Sequence, residues 1–266
     1  MSFSIDGKTA IVTGAANGIG LAIARHFVDR GANVMFADMD DSGLVNELGD
    51  VVEDSNIRYF SGDLREKLTI ANLLSGTIDA FDSVDILVNG SRQMLTTAPL
   101  DADDDSLNTL LQQNLMTSFR LSQLVARRMK KQAEGREEGP VGSIINLSSI
   151  AARRAHPDLL AYSVSTAALD QMTRSMAVAL APDRIRVNAV AFGSVMSASL
   201  KESLRDNSGY RDTIEENTPL GRIAAPHELA EALQFLASDG SGFVTGQILT
   251  VDGGRTLLDA VATPAH

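Results

Sequence analysis

The chain has 266 residues, of which 44% are hydrophobic and 21% charged, an ordinary balance for one α/β domain with a full core. It contains no cysteine, which excludes disulfides, thiolate catalysis and cysteine-ligated metals, and its net charge of −11 without a basic cluster argues against a nucleic-acid surface. No apolar run approaches the ~18 residues of a membrane span, and the opening residues Met1 to Lys8 lack a secretory pattern, so a cytoplasmic protein without membrane contact is expected.

In chain order, Thr9–Val12 is a short apolar strand that ends in a glycine-rich turn. Gly18–Arg30 follows as a helix, with Leu21, Ala24 and Val28 on one face and Gly31 as its stop. Further strands are expected at Asn33–Ala37, Ile57–Phe60, Ile86–Asn89, Ser143–Leu147, Arg186–Ala191 and Gln247–Val251. Helical patterns occupy 41–52, 64–81, 103–131, 159–181 and 226–238. Lys130–Pro140 is charged and glycine-containing, as an exposed loop would be. The stretch 194–217 is polar and irregular, either a mobile substrate lid or a plain surface excursion. Strand–helix alternation with short, wholly apolar strands predicts a single α/β domain over 1–266: a doubly wound parallel sheet with helices on both faces.

Thr13-Gly14-Ala15-Ala16-Asn17-Gly18-Ile19-Gly20 joins the first strand to the first helix. Glycines at 14, 18 and 20 allow a sharp turn and close approach of a pyrophosphate, and the helix start offers free N–H groups to it. Asp38 ends the second strand, 18 residues after Gly20. Its carboxylate suits ribose hydroxyls and repels a 2′-phosphate, and no Arg or Lys stands beside it in Ala37-Asp38-Met39-Asp40. A Rossmann-type site for NAD rather than NADP is the expectation. No metal-ligand spacing is present, so no metal is expected.

With these features, the sequence resembles the short-chain dehydrogenase/reductase family over nearly its whole length. The matching segments are TGxxxGxG at 13–20, Gly62-Asp63-Leu64, Asn114, the strand Ser143–Ser149, Tyr162 at 13 residues from Ser149, Arg186-Val187-Asn188-Ala189-Val190, Pro219-Leu220-Gly221-Arg222, Thr245-Gly246-Gln247 and Val251-Asp252-Gly253-Gly254. The resemblance implies hydride transfer between NAD(H) and a small carbonyl or alcohol substrate. Tyr162 would exchange a proton with the substrate oxygen, Ser149 would hydrogen-bond that oxygen, and Asn114 would hold a helix kink and a relay water. Cofactor contacts are implied at Gly14, Asn17, Gly18, Ile19, Gly20, Asp38, Asp63, Leu64, Asn89, Tyr162, Gly193 and Val195. A homotetramer is implied, with a dimer as second choice.

Three departures cluster at the nicotinamide end. The family's Tyr-x-x-x-Lys reads Tyr162-Ser163-Val164-Ser165-Thr166. Asn-Asn-Ala-Gly reads Asn89-Gly90-Ser91-Arg92, and Pro-Gly reads Phe192-Gly193. Residues four apart share a helix face, so the missing lysine would stand beside Tyr162. An unassisted tyrosine, with a pKa of about 10, is roughly one part in a thousand ionised at pH 7, and positioned acid–base catalysis contributes ~10²–10⁴-fold. Two functions follow: an NAD(H)-dependent oxidoreductase slowed by the loss, or a silent dinucleotide-binding protein. Arg92 either restores the charge or points to solvent or a partner. His156, Arg153 and Arg154 are minor candidates for binding an acidic substrate, with solvated loop positions as the alternative.

Overall fold

The computed structural model describes residues 3–49, 55–259 and 261, without the side chains of Ala198 and Ser199. Seven strands, β1 (Thr9–Thr13), β2 (Asn33–Asp38), β3 (Ile57–Ser61), β4 (Ile86–Asn89), β5 (Gly142–Ser149), β6 (Ile185–Phe192) and β7 (Ile248–Val251), form one parallel sheet in the order β3-β2-β1-β4-β5-β6-β7. Each expected strand is present, with ends moved by at most two residues.

Alternation along each strand assigns side chains to the two faces. Ala10, Val12, Val34, Phe36, Ile86 and Val88 face α1 (Gly18–Asp29) and α9 (Pro226–Ala237). Ile11, Met35, Ala37, Leu87, Ile144 and Val187 face α3 (Lys67–Phe81), α5 (Thr117–Gln132) and α6 (Leu160–Leu180). Because both faces are covered, the central strands are buried along their full length.

Two expectations change. The pattern 103–131 suggests one helix, but the chain forms α4 (Ser106–Leu110), a π-helical turn Leu111–Met116 and then α5. The 194–217 stretch suggests irregular chain, but it holds α7 (Ala198–Asp206), capped by Ser197 Oγ accepting from Leu200 N at 3.1 Å, and α8 (Tyr210–Glu216). The helix expected over 41–52 is α2, Asp41–Leu48, and ends at Gly49 with φ 61°; the remainder lies largely outside the described residues.

The strand order reverses between β1 and β4, so the loops after these two strands diverge to opposite sides of the sheet. They open a crevice at the carboxyl ends, where ligands bind in such sheets. The glycine loop follows β1 and residues 90–93 follow β4.

Candidate active site

A groove of about 600 Å³ runs along this crevice. Gly14, Asn17, Gly18, Ile19, Gly20, Asp38 and Tyr162 line it. Gly14 has φ 72°, and a β-carbon there would lie 2.8 Å from the Gly90 carbonyl oxygen; one at Gly20 would collide with the Gly14 carbonyl. The bare Gly14 lets the glycine loop approach residue 90, and the bare Gly20 lets the start of α1 fold back onto that loop. No side chain caps the start of α1 and no acidic residue occupies its first turn, so its N–H groups and dipole are available to an anion. Asp38 bonds the loop through Oδ2 to Ala16 N (3.0 Å). This donor and acceptor set suits a dinucleotide, with pyrophosphate at the glycine loop and ribose hydroxyls at Asp38.

Other cofactor candidates lie elsewhere. Asn89 is buried and donates to Ser122 Oγ (2.9 Å) and Asn146 Oδ1 (2.8 Å), tying β4 to α5 and β5. Leu64 is in the core beneath α3. Asp63 is clamped by Arg65, whose nearest nitrogen is 2.6 Å from it; these hydrogen bonds hold its carboxyl below the ordinary range against a weaker effect of burial. Arg65 itself lines the groove, as does Met39. Sequence reasoning missed Arg65 because it lies 27 positions beyond Asp38 and only the β2–β3 pairing brings their loops together.

A second cavity of about 750 Å³ adjoins the groove, and Arg92 and Tyr162 line both. Ser149, Gly193, Val195, Arg154 and His156 line the second cavity. Tyr162 is buried in the first turns of α6. Ser149 Oγ accepts from Ala151 N (3.1 Å), and no hydrogen bond joins it to Tyr162. Its neighbour Ser148 points the other way and donates to Asp170 Oδ1 (2.6 Å), a carboxyl that burial pushes upward against that hydrogen bond. Strand alternation thus turns Ser149, and not Ser148, toward the second cavity.

Arg92 points inward. Its Nη1 donates to the Tyr162 hydroxyl oxygen at 2.6 Å, and its guanidinium lies over the Phe192 ring, 4.2 Å from the centroid. Two of the three departures therefore touch each other, and one of them touches the tyrosine hydroxyl. Thr166 is buried and donates to the Tyr162 and Ser163 carbonyls of its own helix (2.8 and 3.2 Å), so its hydroxyl offers nothing to the Tyr162 ring. Asn114, in the π-helical turn, holds the Arg92 loop: its Oδ1 accepts from Gln93 N (2.8 Å) and its Nδ2 donates to Gln93 O (2.9 Å). Thr13 Oγ1 accepts from Gly90 N and Ser91 N (3.0 and 3.1 Å), fixing the other end. His156 is exposed and accepts from Asp158 N through Nδ1 (3.2 Å); Arg153 turns away to Thr250 Oγ1 (2.9 Å). Among the described residues no cluster of His, Cys, Asp or Glu has metal-binding geometry, and no helix is long and apolar enough to cross a membrane.

A family model described as enoyl-(acyl carrier protein) reductase matches residues 14–256. The chain belongs to the short-chain dehydrogenase/reductase family. L-fucose dehydrogenase of Mus musculus is 33% identical over 94% of this chain and 89% of its own. A solved 7α-hydroxysteroid dehydrogenase complexed with NADH and 7-oxo glycochenodeoxycholic acid is 30% identical with a TM-score of 0.86, covering 95% of this chain and 96% of the other. A gluconate 5-dehydrogenase from Burkholderia cenocepacia, in complex with NADP and tartrate, is 31% identical with a TM-score of 0.85 and covers 97% and 98%. The chain is thus a member of an oxidoreductase family whose similar proteins act on CH–OH groups.

Proposed function

We propose that this chain is an NAD(H)-dependent oxidoreductase interconverting a secondary alcohol and a ketone, with Tyr162 as proton donor and acceptor and Arg92 as the cation at its oxygen. The observation that carries this reading is the 2.6 Å hydrogen bond from Arg92 to the Tyr162 hydroxyl, at the junction of the groove and the second cavity.

In the groove, a nicotinamide dinucleotide would supply or take up the hydride when bound. The chain's residues do the rest. Gly14, Asn17, Gly18, Ile19 and Gly20 cradle the pyrophosphate, and Asp38 accepts from ribose hydroxyls. Arg65 near Asp38 is the one feature that favours a 2′-phosphate. Its charge is already matched by Asp63, whereas Asp38 has no cationic partner among the described residues, so NAD is preferred. One similar structure holds NADH and another NADP, which leaves the choice to these local charges.

In ketone reduction, Tyr162 gives its proton to the carbonyl oxygen as that oxygen gains charge, and the negative charge passes to the phenolic oxygen. Arg92 donates to that oxygen, so the tyrosine's own proton is left to point at substrate, and the guanidinium then faces the phenolate directly. Alcohol oxidation runs the same transfers backwards. Arg92 stays charged throughout and stabilises without carrying a proton. Ser149 lines the same cavity, which supports its donating to the substrate oxygen. Phe192 gives the guanidinium an aromatic face in place of water.

The test pairs NADH fluorescence titration with turnover of a ketone and secondary-alcohol panel from pH 6 to 10.5. The wild type is expected to bind NADH more tightly than NADPH and to turn over. Arg92→Gln should keep NADH affinity within about threefold and lose kcat/KM by ~10², within the range of positioned acid–base catalysis. Its remaining oxidation rate should also rise more steeply toward high pH. Adding Thr166→Lys to Arg92→Gln should recover part of the loss. If the wild type binds NADH and is silent at every pH, the silent binding-protein reading replaces this one.

A further inference from the structure

We propose that the substrate carries an anionic oxygen group, a carboxylate or a phosphate, and that Arg255 is the residue that holds it. The proposal rests on the oxidoreductase reading, because it concerns the cavity on the substrate side of Tyr162.

That cavity has a divided lining. Ile150, Leu159, Phe192, Val195 and Ile214 give an apolar wall, while Arg92, Arg154 and Arg255 supply three guanidinium groups; Asp259 is the only carboxylate among its described lining residues. In a chain of net charge −11, such a local excess of positive charge runs against the average surface and focuses an attractive field on anions entering the cleft. None of the three arginines is in an ion pair among the described residues. Their hydrogen-bond partners are neutral: the Tyr162 hydroxyl for Arg92, the Thr256 and Leu258 carbonyls for Arg154, and Ser194 Oγ at 2.9 Å for Arg255; the Asp252 carboxylate stands close enough to Arg255 to feel its charge but accepts from backbone N–H groups instead.

Arg92 and Arg255 approach the same short segment. Arg92 covers Phe192, and Arg255 reaches Ser194 two residues later. Arg255 engages one of its five N–H groups in this way, which leaves the fork needed for a bidentate oxyanion. Its backbone is fixed, because the Asp252 carboxylate accepts from Gly254 N (2.9 Å) and Thr256 N (2.8 Å) on either side of it. Ser194 has φ 59°, a left-handed conformation that a non-glycine residue keeps only where its surroundings hold it. Pinning that turn is the structural alternative for Arg255, and the test must separate the two. An anion at Arg255 would leave the rest of the substrate against the apolar wall, with its reacting oxygen toward Tyr162 and Ser149.

The first arm titrates the NADH-loaded protein calorimetrically with succinate, inorganic phosphate and neutral succinamide. One of the two anions is expected to bind and the amide not to. Arg255→Gln should weaken the anion at least tenfold and Arg255→Lys less, with unfolding curves run on both. Whichever anion binds fixes the headgroup. The second arm compares kcat/KM for oxo acids and their methyl esters; the acid-to-ester ratio should exceed about ten and fall toward one in Arg255→Gln. The proposal is overturned if neither anion binds, if succinamide binds as well, or if Arg255→Gln binds the anion unchanged. Anion binding without any turnover would leave this site standing and remove the oxidoreductase reading. Turnover of esters as good as acids would do the reverse.

Discussion

Asn114 spends its side-chain amide on a neighbouring loop and on α6 rather than on open space. It closes a pair of hydrogen bonds with the Gln93 backbone and donates a third, longer one to Ser165 Oγ (3.3 Å), one turn of α6 from Tyr162. It therefore fixes Arg92 against Tyr162 from both sides and acts as a positioning residue. Asn114→Ala should remove the hydrogen-bond pair with the exposed Gln93 backbone, costing about 1 kcal/mol of stability. It should lower kcat about tenfold with NADH affinity nearly unchanged. In an Arg92→Gln background the same substitution should cost little further activity, because the group it positions is gone; a double-mutant cycle on kcat measures this coupling. Full additivity would mean that Asn114 acts by another route. The three departures at 92, 166 and 192 were legible in the sequence one by one. That Arg92 reaches Tyr162 and Phe192 was not, because residues 92, 162 and 192 come together only through the β4–β5–β6 pairing and the packing of α6.

At the scale of elements, hydrophobic period and glycine position predicted every strand and placed the glycine loop. They failed where hydrogen bonding rather than burial sets the local form. A π-helical turn adds one residue to a helix without changing composition, so 103–131 looks continuous. The polar stretch 194–217 hides two short helices because little of it is buried and its apolar period is faint. The start of α9 is set by polar bonding too. Glu228 accepts from Ala225 N (2.8 Å) and from both terminal nitrogens of Arg222 (2.7 Å each), and these contacts lower its carboxyl from 4.5 to about 2. A depressed folded pKa gives stability that is complete above the unfolded value and is lost as pH falls through the folded one. Glu228→Gln should therefore lower Tm most above pH 5, with the gap to wild type closing between about pH 4.5 and pH 2. The side chain is a third exposed, so the effect is modest, about 1 kcal/mol as for other helix caps. A gap that stays constant across this range would show that the cap does not depend on the charge.

At the scale of the whole molecule, two exposed apolar surfaces among the described residues bear on assembly. On α6, a 21-residue helix, Leu160, Val164 and Val178 are 43%, 44% and 77% exposed, and their spacings of 4 and 14 residues keep them near one face. At the other end of the order, β7 is an edge strand with Leu249 partly exposed and Phe243 fully exposed just before it. A parallel edge strand that, beyond β6, meets only the Arg153 guanidinium among the described residues, at Ile248 O and Thr250 Oγ1, beside an exposed aromatic ring, is a surface that proteins usually cover. A helix face and a sheet edge can each pair with their own copy about a two-fold axis, and two such axes together close a tetramer with 222 symmetry. The expected particle in light scattering after gel filtration therefore has four times the 28.3 kDa chain mass. Val178→Asp places a charge on the helix face and should split the tetramer into dimers held through β7, while Phe243→Glu should give dimers held through α6. The double variant should be monomeric and keep its sheet by circular dichroism. A wild type that elutes as a monomer at micromolar concentration would leave both faces without the partner argued here, and these variants would then change solubility but not mass.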